Sequence, residues 1–359
     1  MKFSVVKSDS NLLRDRLAEE IINACRKHGD TLSDFSNDID YVLNLTSFKN
    51  PKTIRRKSKS VIVVSIIADG RLLTAEDVKE VCYNTLIKTL SNLLIYISYN
   101  YETYFTTPEA GFYELIFNPE EIYKRMHPVV SSQFATDNIF TTDLPSAYWN
   151  GTKATGQINF YGKYLDNLGV LPVPFPLKNI LSKEQLVHLY KIFGITGASY
   201  GNLSVRERIP QLSEHTFWMT GRGVDKSNLN EIGKDIFLVK DFDFKNYAAI
   251  LSMPLQYDPK ARVSVDAVEH ALIYRSFPQT GAIVHVHAWM EGILCTRQNY
   301  PCGTIELANE VVALLNETED PCNAVIGLKN HGLTITGKSL KEIFERISDK
   351  LITEVEMFA

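Results

Sequence analysis

The stretch "SVDAVEHALIYRSFPQTGAIVHVHAW", residues 264–289, places a helix-like segment before an apolar strand that carries two histidines. Side chains two positions apart on a strand point to the same side, so we expect His285 and His287 to project together from "AIVHVHAW". Two imidazoles placed in this way can share one metal ion. The alternative is a pair of core histidines bonded to their own neighbours, and the pair alone favours this alternative.

Other potential ligands lie near this pair in the sequence. Asp266 and His270 are four residues apart on the predicted helix, and His331 lies downstream in an Asn-His-Gly turn. Three neutral imidazoles and a carboxylate form a suitable ligand set for zinc or a similar divalent ion. His270 lies one helical turn beyond Asp266, so we expect it to support the site or the core rather than bind the ion.

The composition is that of an ordinary soluble protein. The chain has 359 residues, of which 45% are hydrophobic and 22% are charged, enough for two domains with their own cores. A net charge of -4 gives no general attraction to nucleic acid or to anionic membranes. The apolar run "VIVVSIIA" is far shorter than the roughly 20 residues that span a bilayer. We therefore expect a cytoplasmic protein that binds neither nucleic acid nor membrane.

The cysteines suggest free thiols. Five cysteines without short paired spacing favour a reducing compartment over a disulfide framework or a thiolate zinc site. We therefore expect nitrogen and oxygen atoms to bind any metal.

Three prolines at alternate positions in "LPVPFPL", residues 171–177, mark the clearest boundary in the chain. We predict a mixed α/β domain over residues 1–177 and a second α/β domain with a substantial sheet over residues 178–359. In the first, a helix from about Ser10 to Lys27 is expected among the strand-like runs "DYVLNLT", "SVIVVSIIA" and "GFYELIFN".

Capping signals place three more helices. Thr74 can cap a long helix in the first domain, and Ser182 with Gln185 forms a capping box at the start of the second. A final helix is predicted to begin at Ser339, with Glu342 as its capping partner, and to run nearly to the C-terminus.

Five blocks of the second half resemble the class II aldolase/adducin family, in the family's own order. They are "GASYGNLSVR", "WMTGRGVDKSNL", the 264–289 stretch, "GTIELANEVVALL" and "LKNHGLTITGKSLKE". The similarity covers about residues 180–359 and implies an α/β/α domain around a mostly antiparallel sheet, commonly in a homotetramer. By position, His285, His287 and His331 match the family's three zinc-binding histidines. The first half shows no such resemblance.

The resemblance also gives Asp266 a role. Family aldolases have a glutamate acid/base at this position, whereas "SxDxxxHxxxYxxFP" is similar to the pattern of L-ribulose-5-phosphate 4-epimerases. In that branch the aspartate approaches the metal. The alternative is that Asp266 only caps the N-terminus of its helix.

Two glycine-rich turns, "GASYGNLS" and "MTGRG", resemble the family's phosphate cradle. Such turns can direct backbone N–H groups and small hydroxyls at an anion. The resemblance assigns phosphate binding to Gly201, Asn202, Thr220, Gly221 and Ser264. Family members often have two serines before the acidic residue, and the second is Val265 here. This difference implies weaker phosphate binding or an unphosphorylated substrate.

The resemblance implies a metal-dependent lyase that cleaves a carbon–carbon bond of a small sugar or sugar-phosphate-like substrate through a metal-stabilised enediolate. A sugar-phosphate 4-epimerase is the alternative reaction. The loop after His287 is shorter than in the family, which leaves Glu291 as its nearest carboxylate and a second candidate for proton transfer. No tyrosine follows Tyr300, although many members supply one from the C-terminal tail. These departures favour the other alternative, a non-catalytic, adducin-like binding or scaffolding protein.

Overall fold

The computed structural model of the protein describes residues 1–35, 38–54, 61–69, 75–108, 112–170, 182–184, 187 and 200–355. The backbone divides into two compact units. The first unit contains Met1–Ser132, and residues 133–170 and 200–355 belong to the second. The predicted boundary at 171–177 lies outside the described residues, as do the predicted capping residues Thr74 and Gln185.

The first unit is a mixed sheet with helices. Its described strands are β1 (Lys2–Lys7), β2 (Thr31–Leu32), β3 (Tyr41–Leu45), β4 (Ile62–Ala68), β5 (Leu93–Ile97), β6 (Glu102–Thr106) and β7 (Phe112–Ile116), and its helices are α1 (Leu12–Lys27), α2 (Ala75–Thr89) and α3 (Pro119–Val130). The strands lie in the order β2-β1-β3-β4-β5-β6-β7, parallel from β2 to β5 and antiparallel beyond. Every residue of β4 is buried, as expected for a parallel strand covered on both faces.

A buried arginine joins α1 to the ends of two strands. The Arg14 side chain has no exposed surface, and its guanidinium forms ion pairs with Asp9 and Asp15. It also donates to the backbone carbonyl oxygens of Asp9, at 2.7 Å, and Thr46, at 3.0 Å. Because Asp9 follows β1 and Thr46 follows β3, one side chain holds the carboxyl ends of two adjacent strands against the helix.

The second unit has a larger sheet. Its described strands are β8 (Asp137–Thr141), β9 (Asn202–Arg206), β10 (Phe217–Thr220), β11 (Ile236–Asp243), β12 (Ala248–Ser252), β13 (Ala282–Val286), β14 (Leu294–Cys295), β15 (Val325–Leu328) and β16 (Gly332–Gly337). They lie in the order β14-β15-β16-β13-β9-β10-β11-β12-β8. Only the pairs at the two edges, β14 with β15 and β12 with β8, are parallel among these strands. The mostly antiparallel sheet expected for the second half is therefore confirmed.

Helices cover this sheet as two packed pairs. The helices are α4 (Lys153–Asn167), α5 (Ala267–Ser276), α6 (Ile305–Glu317) and α7 (Leu340–Ile347). The α5–α6 pair packs on β11, β12 and β15, and the α4–α7 pair packs on β9, β10, β13 and β16. The predicted α/β/α arrangement is therefore confirmed. Strand β8 and helix α4 belong to this unit, although they precede the predicted boundary.

The predicted C-terminal helix begins as expected but ends early. Ser339 accepts a hydrogen bond from the Glu342 backbone N–H, as the sequence predicts, yet the helix stops at Ile347. The prediction that it runs nearly to the C-terminus was wrong. The backbone of Ile352 instead exchanges two hydrogen bonds with that of Trp289, at 2.8 and 2.9 Å. This partner outside the helix satisfies polar groups that further helical turns would otherwise pair.

None of the five cysteines forms a disulfide bond. Among the described residues, none of the helices has the length and apolar character needed to cross a membrane.

We predict that Arg14→Ala lowers the free energy of unfolding of the first unit by about 3 kcal/mol, because it removes a buried cation that donates to two backbone carbonyl groups and pairs with two carboxylates. Arg16→Ala, an exposed arginine on the same helix, is the matched control and should cost about 0.5 kcal/mol or less. Urea denaturation followed by circular dichroism measures both. Equal effects of the two changes would contradict the structural role of Arg14.

Candidate metal centre

The three predicted histidines meet at one end of β13 and β16. His285 lies on β13, His287 follows that strand, and His331 lies in the turn between β15 and β16. The turn comes close to β13, because a Cβ atom on Gly332 would lie only 2.2 Å from the Val286 carbonyl oxygen. Only glycine permits this approach, which brings His331 beside the strand histidines.

The imidazole rings form a compact triangle. The ring centroid of His285 lies 5.2 Å from that of His287 and 4.8 Å from that of His331, and the last two are 4.8 Å apart. The Nε2 atoms of His287 and His331 are 3.2 Å apart. His285 donates from Nδ1 to the Leu333 carbonyl oxygen at 3.0 Å, whereas its buried Nε2 has no hydrogen-bond partner. A lone pair of His285 is therefore available to a ligand.

Burial keeps these imidazoles neutral. It lowers the pKa of His285, and it holds the pKa values of His287 and His331 well below the usual range, with the neighbouring His285 ring adding to the effect. Neutral imidazole is the form that binds metal ions.

A cysteine joins the cluster, contrary to the expectation that only nitrogen and oxygen would surround an ion. Cys302 Sγ lies 3.1 Å from His331 Nε2, and the potential ligand atoms of His285, Cys302 and His331 all lie within 4.8 Å of one another. No second cysteine lies at short spacing in the sequence, so the usual signal of a thiolate site is absent. The contact arises only because the segment before α6 folds back over the turn that carries His331.

Asn202 connects Asp266 to His285. Asn202 pairs directly with His285 across β9 and β13, and its side-chain amide donates to Asp266 Oδ2 at 2.7 Å. Asp266 is buried and stands at the N-cap position of α5, but its side chain makes no capping hydrogen bond. The alternative in which this carboxylate serves only to cap the helix is therefore not observed.

Two buried ionisable groups near Asp266 escaped the sequence analysis. Glu269 accepts a hydrogen bond from the Thr334 hydroxyl at 2.7 Å. Thr334 is the residue of β16 that pairs with His285. Burial, and then the Asp266 carboxylate, raises the pKa of Glu269. Burial lowers the pKa of Lys226 to about 8, and Asp266 opposes this shift. No local sequence pattern identifies either group, since only the folded chain brings them to Asp266.

His270 belongs to a hydrogen-bonded chain in the core, in line with its predicted supporting role. Its Nδ1 lies 2.7 Å from the Ser204 hydroxyl, which lies 2.8 Å from the Tyr274 hydroxyl. Burial lowers the pKa of His270 to about 3.

Several polar groups of the predicted phosphate-binding residues are already paired within the protein. The backbone N–H of Gly221 donates to Asp235 O at 2.7 Å, and that of Ser264 donates to Thr220 O at 3.1 Å. A Cβ atom on Gly201, where φ is +77°, would lie 2.6 Å from His285 O, so this glycine sets the approach of its turn to β13. Phosphate binding by Gly201, Asn202, Thr220, Gly221 and Ser264 stays a prediction.

Aromatic side chains pack beside the short loop that follows His287. Glu291 is exposed on this loop, whereas the imidazoles are buried. The Trp289 ring lies so close to Gly327 that a Cβ atom there would be 2.8 Å from it. Tyr200 stacks on the His287 ring with 4.6 Å between centroids. The structure thus brings Asp266, but not Glu291, into the buried cluster.

Comparison with known proteins supports the resemblance seen in the sequence. Residues 185–298 match the family model described as Class II Aldolase and Adducin N-terminal domain. This match lies in the second half of the chain, where the sequence resemblance was found, and the first half is unassigned. No curated protein matches the chain.

Solved structures similar to part of the chain include an L-fuculose 1-phosphate aldolase, with 17% identity, a TM-score of 0.36 and coverage of 55% of this chain and 81% of that one. YgbL from Escherichia coli, a putative aldolase/epimerase/decarboxylase, shows 17% identity, a TM-score of 0.34 and coverage of 55% and 85%. An aldolase II superfamily protein from Pseudomonas syringae shows 16% identity, a TM-score of 0.30 and coverage of 44% and 64%.

We predict that His270 makes the stability of the second unit depend on pH. Between about pH 6.5 and 3 the unfolded chain binds a proton at this residue that the folded protein excludes, so stability is lost as the pH falls through this window. The contribution approaches about 1.4 kcal/mol per pH unit. His270→Asn retains a polar atom near the position of Nδ1 and should remove this part of the slope.

Urea denaturation of metal-free protein at several pH values measures the slope. The exposed His215 provides the control, because His215→Asn should leave the slope unchanged. A slope in His270→Asn equal to that of the wild type would show that His270 titrates alike in both states.

Proposed function

We propose that the second unit binds a divalent ion, with zinc expected, through His285, His287 and His331, and that it is an aldolase-type lyase. Its substrate would be a small sugar or sugar-phosphate-like molecule. The observation that carries this proposal is the convergence of three buried, neutral imidazoles, one of which keeps a buried Nε2 without a partner.

The spacing of the donors suits a tetrahedral ion. Two nitrogens bound to zinc at about 2.0–2.1 Å lie roughly 3.3 Å apart. The Nε2 atoms of His287 and His331 are 3.2 Å apart, which is close to this separation. The Nδ1 hydrogen bond from His285 to Leu333 O fixes the tautomer that leaves Nε2 as an acceptor.

The residues around the imidazoles can handle protons and anionic charge. A bound divalent ion would act as a Lewis acid on a substrate oxygen and would stabilise the charge of an enediolate. The Asp266 carboxylate is held by Asn202 and can accept or return a proton beside the imidazoles. The buried Lys226 side chain interacts electrostatically with Asp266 and His285, and its positive charge favours an anionic substrate. Gly201, Asn202, Thr220, Gly221 and Ser264 are the proposed phosphate contacts.

Two alternatives share this geometry. A sugar-phosphate 4-epimerase would use the same cluster, and the aspartate at position 266 is the feature that favours it. A non-catalytic, adducin-like binding protein would need neither the ion nor Asp266, and the shortened loop after His287 and the absence of a tyrosine after Tyr300 favour that alternative. Homo-oligomeric assembly and a cytoplasmic location complete the proposal.

Metal content tests the site directly. Elemental mass spectrometry of untagged protein after metal supplementation and dialysis should find about one divalent ion per chain. A variant with both His285→Ala and His287→Ala should hold none, because two donors are removed. His215→Ala, an exposed histidine in the same unit, should keep the ion. A folded wild type without metal would end the lyase proposal and leave the binding protein.

Activity separates the two candidate carboxylates. Asp266→Asn should lower kcat for cleavage by at least about 100-fold while the ion is retained, because a proton-transfer group in the buried cluster is lost. Glu291→Gln makes the same chemical change at the exposed loop and should have the smaller effect. Product release from a panel of ketose phosphates and unphosphorylated ketoses, followed by NMR, measures both. A larger loss at Glu291 would move the acid/base to the loop.

A further inference from the structure

We propose that Cys302 supplies a thiolate as a fourth ligand, so that the centre of this chain is a closed site of three histidines and one cysteine. The inference rests on the proposed metal site. It changes the nature of that site, because three histidines alone leave one position open to solvent or substrate.

The sulfur lies on the side of His331 where an ion would bind. Cys302 Sγ is 3.1 Å from His331 Nε2 but 3.9 Å from its Nδ1. The same Nε2 atom faces His287 Nε2 at 3.2 Å. Sulfur and nitrogen ligands of a tetrahedral zinc lie roughly 3.5 Å apart. Both distances from His331 Nε2 are thus close to those between ligands of one ion, and the ligand atoms of His285, Cys302 and His331 all lie within 4.8 Å of one another.

His285 gives a second, independent indication of a ligand. Its side chain is 2% exposed, and its Nε2 atom has no hydrogen-bond partner. Its other ring nitrogen is fixed by Leu333 O, so this lone pair cannot be satisfied by a simple exchange of tautomers. Buried polar atoms are nearly always paired, and an exception beside a thiol and two imidazoles points to an ion between them.

The backbone presents Cys302 from a rigid turn. Gly303 has φ of +71°, and its carbonyl oxygen accepts from Ala135 N at 2.8 Å. Thr304 caps α6 and also donates from its hydroxyl to Pro301 O at 2.7 Å. A Cβ atom on Gly303 would lie 2.9 Å from the Val265 side chain, next to Asp266. Contacts made by the residues before and after Cys302 thus fix the position of its thiol.

A thiolate ligand has chemical consequences. On binding, the S–H proton leaves to solvent and the sulfur–metal bond forms, with no change of oxidation state. Soft sulfur favours zinc or cobalt over magnesium, calcium or manganese. An incoming substrate oxygen must then displace the sulfur or raise the coordination number to five. Cys302 would thereby set which ion is held and how readily the substrate reaches it.

Cobalt(II) substitution tests the thiolate. The wild-type protein loaded with cobalt should bind about one ion per chain and show a near-ultraviolet sulfur-to-cobalt charge-transfer band. Cys302→Ser should abolish the band and weaken zinc binding by at least the roughly 10- to 100-fold that loss of an outer partner costs. Cys322→Ser, the same change at a partly buried cysteine outside the cluster, should leave the band unchanged. X-ray absorption of the zinc form of the wild type should show one sulfur among its ligands.

The possible results separate this inference from the proposed function. Cobalt bound at full stoichiometry without the band, and zinc without a sulfur ligand, would overturn the role of Cys302 and leave the histidine site intact. A wild type that binds no ion would overturn both. Because the wild-type spectra carry the test, it does not depend on the folding of the cysteine variant.

Discussion

The close approach of two neighbouring segments to β13 is the constraint on which the candidate site depends. Gly332 and Gly201 leave no room for a Cβ atom beside the carbonyl oxygens of Val286 and His285. The first glycine brings the His331 turn against the strand, and the second brings the turn before β9. A side chain at either position would push its segment away, so backbone contact determines the distances between the ligand atoms.

A polar row across three strands connects the imidazoles to the acidic side chains of α5. Asn202 and Thr334 flank His285 in the sheet, and they donate to Asp266 and Glu269 respectively. The row places two carboxyl groups one helical turn apart over the site. Burial and the neighbouring Asp266 carboxylate raise the pKa of Glu269, so this side chain favours its protonated form.

The sequence predicts the parts of the site that follow from local spacing. The i, i+2 histidines and the strand and turn around His331 follow from local patterns, whereas the α/β/α class follows from the resemblance of five ordered blocks to the class II aldolase/adducin family. The contact of Cys302 with His331 and the burial of Lys226 depend on folding between distant segments, and no local pattern contains them. The end of α7 escaped prediction for the same reason, since Ile352 finds its partner at Trp289, far away in the sequence.

The hydrogen bonds between Trp289 and Ile352 close a long loop that contains both Cys302 and His331. Closing such a loop costs chain entropy, and contacts between distant residues form slowly. During synthesis, the partner of Trp289 leaves the ribosome well after the first histidine pair. The ligand cluster cannot be complete before His331 has been synthesised, and an ion that binds the nascent chain earlier meets only an incomplete set of donors.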